Sequence, residues 1–493
     1  MSVKKLKNYI NGKWVEPISD RYIDVENPTS ADVIAKSPLS GSDDVKKAVD
    51  AANNAFTEWS AMPVSRRCKH LFALADIVKN REEDVSRTLT EEMGKSLPDA
   101  AAELKRVIEN IEVSCGMPTL QQGGKLNGCA TGIDTEYLRL PRGVYTMIAP
   151  FNFPAMVPFW FLPYALATGN TYVVKPSEQV PCTMTLLTEL IEEAGFPKGV
   201  YNMVNGDKAV SEALMDHPDV VGLSFVGSSR VCKIISATCG ENNIRFQAMG
   251  SAKNHLIAMP DANLDNMVRN MITSCFGCAG QRCMAASAIV AVGDETYNQV
   301  CKRFVETAKN IVVADPLDPN VADEDMVMGP VISRAAKERI ESLIETGVNE
   351  GATLALDGRG YNVDGCENGY FVGPTVFTDV TPGMEIHNTE IFGPVVVILK
   401  AATLDEAIGI INNHEYGNGA SIYTQDGYSA RKFKLETLAG MIGVNIGIPA
   451  PVAYFPFGGM KESSYNHIKA QGKTIVEFFT EKKVIVERFW ENE

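Results

Sequence analysis

A cysteine closes a run of small residues and sits beside an arginine in Phe276-Gly277-Cys278-Ala279-Gly280-Gln281-Arg282-Cys283. A nucleophilic thiol needs a backbone that a substrate can approach closely, and glycine and alanine permit that. It also needs cationic surroundings, because the thiolate is the reactive form. Cys283 satisfies both conditions. The same residue types fit a free cysteine buried as a small hydrophobe, so local chemistry leaves both readings open.

Other stretches could serve such a thiol. Pro150-Phe-Asn-Phe-Pro154 follows a β-rich run, which puts Asn152 where an open α/β sheet binds ligands. Its amide could donate to a developing oxyanion or simply shape a turn. Lys175 and Glu178, in Val173-Val-Lys-Pro-Ser-Glu178, follow another such run and read as ribose-binding groups or as a solvated charge pair. Phe225-Val-Gly-Ser228 precedes a helix, and small residues at a helix N-terminus suit a pyrophosphate. Cys275, Cys278 and Cys283 have a spacing that could suggest metal, but no histidine or fourth cysteine lies close by. The six histidines (His70, His217, His255, His387, His414 and His467) are dispersed, with no H-E-x-x-H, and no G-x-S-x-G elbow accompanies them. We expect no metal centre.

The elements that must position these residues are legible in outline. The spacing predicts helices over 43–56, 66–93 and 97–115. A glycine-rich excursion covers 119–140. From Val144 strands and helices alternate, the pattern of a parallel sheet with nucleotide-binding potential. Strands are expected over 144–149, 171–174, 200–204 and 221–226, and helices over 183–194 and from Arg230. The alternation restarts after Lys253, with strands over 255–259 and 286–292 and helices over 264–275 and 295–311. Residues 474–490 alternate apolar and polar side chains and read as an edge strand, able to add to another sheet, for example in a partner subunit. Asn11-Gly12 between β-formers reads as a hairpin turn.

The 493 residues imply two or three domains, and 45% hydrophobic with 22% charged residues describes an ordinary globular chain. A net charge of -15 argues against a nucleic-acid partner. The longest apolar stretch, 151–167, is broken by Pro154, Pro158 and Pro163 and is a poor membrane span. No apolar segment follows the first lysines as a signal peptide would require. Eleven scattered cysteines then favour reduced thiols and a cytoplasmic location.

Taken in order, the chain resembles the aldehyde dehydrogenase superfamily. The stretches that carry the likeness are Pro150-Phe-Asn-Phe-Pro154, Ala167-Thr-Gly-Asn170, Lys175-Pro-Ser-Glu178, Phe225-Val-Gly-Ser228, Gly280-Gln-Arg-Cys283, Glu390-Ile-Phe-Gly-Pro394 and Pro456-Phe-Gly-Gly459. The resemblance implies an α/β fold with a Rossmann-type cofactor domain (1–118 and 141–249) and a second α/β catalytic domain (250–449). It also implies a small β oligomerisation arm with a tail strand (119–140 and 470–493), in a homotetramer or homodimer. It implies that Cys283 attacks an aldehyde, that Asn152 and the Cys283 N–H hold the oxyanion, and that hydride passes to NAD, leaving a thioester. Phe151, Lys175, Glu178, Gly227, Ser228, Glu390 and Phe392 would then bind the cofactor. Glu178 favours NAD over NADP, because a carboxylate repels a 2′-phosphate.

The departures from the pattern carry information. Hydrolytic members have a glutamate in a Glu-Leu-Gly-Gly-Lys stretch; the matching stretch is Met249-Gly-Ser-Ala-Lys253. A positioned general base contributes ~10²–10⁴-fold, so water should be a poor acceptor and a thiol such as coenzyme A the natural one. Gly280-Gln-Arg-Cys-Met-Ala285 and Ala252-Lys-Asn-His255 resemble the CoA-acylating methylmalonate-semialdehyde dehydrogenases within the superfamily. That likeness implies oxidation of malonate or methylmalonate semialdehyde with loss of CO2, giving acetyl- or propionyl-CoA, and Arg106 and Arg282 as a clamp on the substrate carboxylate. The alternative is a hydrolytic NAD-dependent dehydrogenase. A glycine usual in the superfamily five places after Gly227 is Cys232 here.

Overall fold

The computed structural model describes residues 3–321, 326–465 and 468–490; His467 and the end of the expected tail lie outside them. Two seven-stranded sheets organise the chain. Strands in the middle of each read as unbroken apolar runs, because helices cover both faces. Val144–Ile148 and Thr171–Lys175 are buried at every position.

The first sheet runs in the order Arg245–Met249, Val220–Val226, Val144–Ile148, Thr171–Lys175, Tyr201–Met203, Asn8–Ile10, Lys13–Val15. It is parallel until the N-terminal hairpin joins antiparallel. That hairpin turns on Asn11 and Gly12, with φ of 53° and 71°. Two consecutive positive φ values match the twist of the flanking strands, which is why asparagine and glycine occupy them.

The second sheet runs Thr353–Leu356, Thr375–Thr378, Val395–Ala401, Ala288–Val292, His255–Ala258, Gly419–Tyr423, Met441–Val444. Only its edge strand Thr353–Leu356 is antiparallel. A third, three-stranded antiparallel sheet joins Gly124–Ala130, Ile133–Pro141 and Thr480–Arg488.

Helices match the apolar spacing with two differences. The expected helix over 66–93 is two, Val64–Asn80 and Glu82–Met93. Arg81 separates them with φ -115° and ψ 20°, and three acidic residues open the second, where a helix N-terminus favours negative charge. The tail expected as one strand begins as a short helix, Ile475–Phe479, buried at four of five positions; the strand follows. That strand pairs along its length with Ile133–Pro141 of its own chain. Helix Leu97–Cys115 is capped by Ser96, whose hydroxyl accepts the Asp99 N–H. Its buried stripe includes three polar residues, Glu103, Asn110 and Ser114, and the site draws on one of them.

Among the described residues, no helix is long and apolar enough to cross a membrane.

Candidate active site

Loops from the two large sheets meet across a cleft of about 1090 Å³. Phe151, Asn152, Lys175, Glu178, Gly227, Ser228, Cys283, Glu390 and Phe392, scattered in sequence, all line it. Phe151 and Phe392, one from each side, meet edge to face at 5.7 Å. Phe392 holds φ at 53° to do so, an uncommon conformation for a bulky residue.

Asn152 sits in the loop that leaves Val144–Ile148. Its side-chain amide donates to the Gln281 carbonyl at 2.9 Å, which ties the loop to the cysteine segment. Its own carbonyl accepts from Lys95 Nζ at 2.7 Å. Lys95 also pairs with Glu103 at 2.5 Å, and neither side chain is exposed. Glu103 Oε1 in turn accepts the N–H groups of Ala155 and Met156, both at 2.9 Å. The loop carrying Asn152 thus rests on a buried ion pair, and deleting one member of such a pair costs about 3–5 kcal/mol. Neither residue stands out in sequence: Lys95 precedes a helix cap, and Glu103 interrupts an apolar stripe.

The far end of the cleft has the donor set that a dinucleotide needs. Lys175 Nζ donates to Glu178 Oε2 at 2.7 Å, placing a cation and a carboxylate side by side for vicinal hydroxyls. Ser228 caps helix Ser229–Glu241 and leaves the helix N-terminus facing the cleft. Ile234 on that helix stays 50% exposed along the wall, an apolar face for a planar base. Cys232 is fully buried in the neighbouring core, so the side chain replacing the usual glycine points away from ligand space.

Cys283 is half-buried at the cleft's inner end. Burial pushes its thiol up to about 12, and the Glu390 carboxylate adds to this; the N–H groups of Cys283 and Met284 and the Arg282 guanidinium pull the other way. The cationic help expected from Arg282 is therefore small. Its Nη2 donates to Asp99 at 2.6 Å and its Nε to the Cys278 sulfur at 3.2 Å. Arg106 lies on the same helix as Asp99, 44% exposed, and pairs with Glu109 at 2.6 Å. Neither arginine lines the large cleft.

Two of the closely spaced cysteines have other partners. Cys275 donates to the Ala286 carbonyl, and Cys278 faces Asp99 and Arg282. Asp50, His217 and Asp219 do bring ligand-type atoms within 4.8 Å of one another, but Lys46 pairs with Asp50 at 2.6 Å.

Under Glu390 lies a group that the sequence does not announce. Glu390 Oε1 accepts the Ala252 N–H at 2.9 Å. Lys253 Nζ donates to the carbonyls of Ile386 and Thr389 at 2.8 and 2.9 Å, holding the segment that leads to Glu390. Burial pushes this ammonium down to about 7. Beside it, His255, His387 and His414 pack edge to face with ring centroids 5.1 to 5.4 Å apart. Burial pushes His387 and His414 down to about 4 and His255 well down, so all three are neutral. Their dispersal over about 160 positions hides a cluster assembled by the start of a strand, a short helix and the end of another helix.

Residues 14–485 match the aldehyde dehydrogenase family, and the chain belongs to it. Curated relatives include a malonate-semialdehyde dehydrogenase of Lacticaseibacillus casei, 44% identical over 99% of this chain and 98% of that one. Another, malonate-semialdehyde dehydrogenase 1 of Geobacillus thermodenitrificans, is 46% identical over 99% of both. Among solved structures, the methylmalonate-semialdehyde dehydrogenase of Oceanimonas doudoroffii superposes with a TM-score of 0.97 at 38% identity, covering 99% of each chain. The betaine aldehyde dehydrogenase of Staphylococcus aureus in complex with NAD+ gives 0.93 at 30% identity, covering 98% and 95%.

Proposed function

We propose that the protein is an NAD-dependent, CoA-acylating dehydrogenase of malonate or methylmalonate semialdehyde. The observation that carries the acylating reading is Met249, buried at 4% exposure where hydrolytic members of the family are expected to place their base. The relatives' names support the substrate class.

In this reading Cys283 Sγ attacks the aldehyde carbon to give a thiohemiacetal. The Asn152 amide and the Cys283 N–H stabilise the oxyanion, an arrangement worth about 10²–10³ in rate per donor. Lys175, Glu178, Ser228 and Glu390 hold NAD, which when bound supplies the hydride acceptor and a positive ring that favours the thiolate. Arg106 and Arg282 receive the substrate carboxylate, with Asp99 orienting Arg282. Oxidation leaves an acyl thioester on Cys283, CO2 departs from the β-carboxylate while a solvent proton takes its place on the α-carbon, and the CoA thiolate displaces the Cys283 thiolate to give acetyl- or propionyl-CoA.

A second reading keeps hydrolysis, with Glu390 as base. Burial raises its carboxyl, and its charge is felt at Cys283. Its hydrogen bond to Ala252 N–H favours the positioning role instead.

We divide the chain into a cofactor domain (1–118 and 141–249), a catalytic domain (250–449) and an arm with tail (119–140 and 470–493). The arm's exposed Leu126, Leu138, Val484 and Val486, with Phe489 and Trp490 beyond, support assembly into a homodimer or homotetramer. All eleven cysteines are free, which suits a reducing cytoplasm.

The test is steady-state NADH formation from malonate semialdehyde with and without CoA. Multiple turnovers that need CoA are expected. Equal turnover without it establishes water as the acceptor and overturns the acylating reading. In the same assay Arg106→Ala should impair the semialdehyde far more than propanal; equal losses remove Arg106 from the substrate site.

A further inference from the structure

The segment before the nucleophile does not hold its own shape. Cys278, Ala279 and Gly280 take φ of 51°, 52° and 71° in succession. Arg282 to Ala285 then form a turn, with the Ala285 N–H donating to the Arg282 carbonyl at 3.0 Å. Cys283 and Met284 are its two central residues. The peptide between them is the one whose rotation interconverts the common turn types, so a turn alone does not dictate where it points.

Two buried amides dictate it here. The Cys283 carbonyl accepts from Asn254 Nδ2 and from Asn418 Nδ2, both at 2.9 Å. Asn254 and Asn418 are 4% and 5% exposed. Each immediately precedes a strand, His255–Ala258 and Gly419–Tyr423, and those strands are parallel neighbours with His255 opposite Ala420. Asn254 Oδ1 accepts the Gly419 N–H at 2.9 Å, and its Nδ2 also donates to the Ala285 carbonyl at 2.9 Å. Asn418 Nδ2 also contacts the Met284 sulfur at 3.1 Å. Asn254 is therefore tied to the strand that Asn418 precedes, and the Cys283 carbonyl accepts two side-chain hydrogen bonds.

A trans peptide carries its N–H on the edge opposite its carbonyl. With the Cys283 carbonyl drawn to the sheet, the Met284 N–H faces the Cys283 sulfur, where it favours the thiolate. Donors on a carbonyl also polarise the same amide and strengthen its N–H. We propose that Asn254 and Asn418 are positioning residues that lock the Cys283–Met284 peptide so that its N–H supports the sulfur through attack and displacement. This rests on the reading of Cys283 as nucleophile.

The test is the pH dependence of iodoacetamide labelling of the full-length protein, with the labelled residue mapped by mass spectrometry. Asn418→Leu keeps the volume and removes the donor. Its labelling midpoint should rise by about one pH unit, the scale of a lost hydrogen bond to a charge-bearing group. The kcat/KM for aldehyde should fall about tenfold with it, while the Kd for NAD is unchanged. Asn418→Gln, which keeps the amide, should recover most of both. If Asn418→Leu does not fold, Asn418→Ser is measured in its place and should show the same direction. A folded variant whose profile superimposes on that of the unmodified protein overturns the proposal. Labelling of a different cysteine in the unmodified protein overturns the nucleophile reading itself, a separate outcome.

Discussion

The two large sheets serve one cleft from opposite strand ends. In the first, the polar residues at the cleft's loops follow strands: Asn152 after Val144–Ile148, Lys175 and Glu178 at and beyond the end of Thr171–Lys175, Ser228 after Val220–Val226. In the second, the reactive-site residues precede strands: Cys283 before Ala288–Val292 and Glu390 before Val395–Ala401, with Asn254 and Asn418, which hold the Cys283 carbonyl, before His255–Ala258 and Gly419–Tyr423. Strand C-termini feed helix N-termini, whose free N–H groups greet a ligand directly. Strand N-termini offer no such donors, so loops arriving there must be braced by side chains. In the proposed reading the first region binds the cofactor and the second holds the reacting atoms in place.

Removing the nucleophile separates the two most sharply. Cys283→Ala should lower turnover by at least about 10⁴-fold and leave NAD affinity, read by fluorescence quenching, unchanged. Residual turnover above that would move the chemistry elsewhere.

Acid should separate them next, through stability. His255, His387 and His414 are held neutral in the fold, whereas in an unfolded chain they bind protons near pH 6.5. Their contribution is complete above pH 6.5 and is lost as pH falls toward about 4. Lys253, pushed down to about 7, is charged in both states over most of that window and adds little slope. Glu390, raised by burial, works in the opposite sense with one proton. Through the cluster and Glu390 alone, denaturant-melt stability should therefore fall by up to about 3 kcal/mol per pH unit at its steepest, roughly two net protons at about 1.4 kcal/mol each. Hydrogen exchange should open the 385–393 segment before Thr171–Lys175. A flat profile from pH 6.5 to 4.5 would remove the cluster from the energetics.

The smallest effect belongs to the first region. Glu178→Gln should weaken NAD binding about tenfold, one charge-assisted hydrogen bond, with kcat for aldehyde unchanged. A fall in kcat instead would mean that the two regions are not separable.

The sequence discloses the first region well because its residues obey the rule that open α/β sheets bind at strand C-termini. Asn152, Lys175, Glu178 and Ser228 could be placed from periodicity and position. The small neighbours of Cys283 mark it as a candidate without excluding a buried structural thiol. Asn254 and Asn418 were not legible, because an asparagine before a strand reads as a turn residue. Lys95 and Glu103 were hidden for another reason: a charged residue predicts exposure, and here burial depends on a partner and on backbone groups over 50 residues away. The single helix expected over 66–93 shows that apolar spacing passes through a break when Arg81 leaves the stripe unbroken.

The left-handed run before Cys283 also determines whether the reactive stretch could be moved. Left-handed backbone costs roughly 1–2 kcal/mol at each residue that carries a side chain, and Cys278 and Ala279 both do. They are packed to 5% and 1% exposure, and Gly280 beside them admits no side chain, because a Cβ there would come 2.1 Å from the Gly393 carbonyl oxygen. The eight residues 276–283 would relax if cut out as a peptide or grafted onto another protein, and the thiol would return to an ordinary one. The placement proposed for the nucleophile is not portable with the motif; it belongs to the surrounding chain that keeps those three residues left-handed.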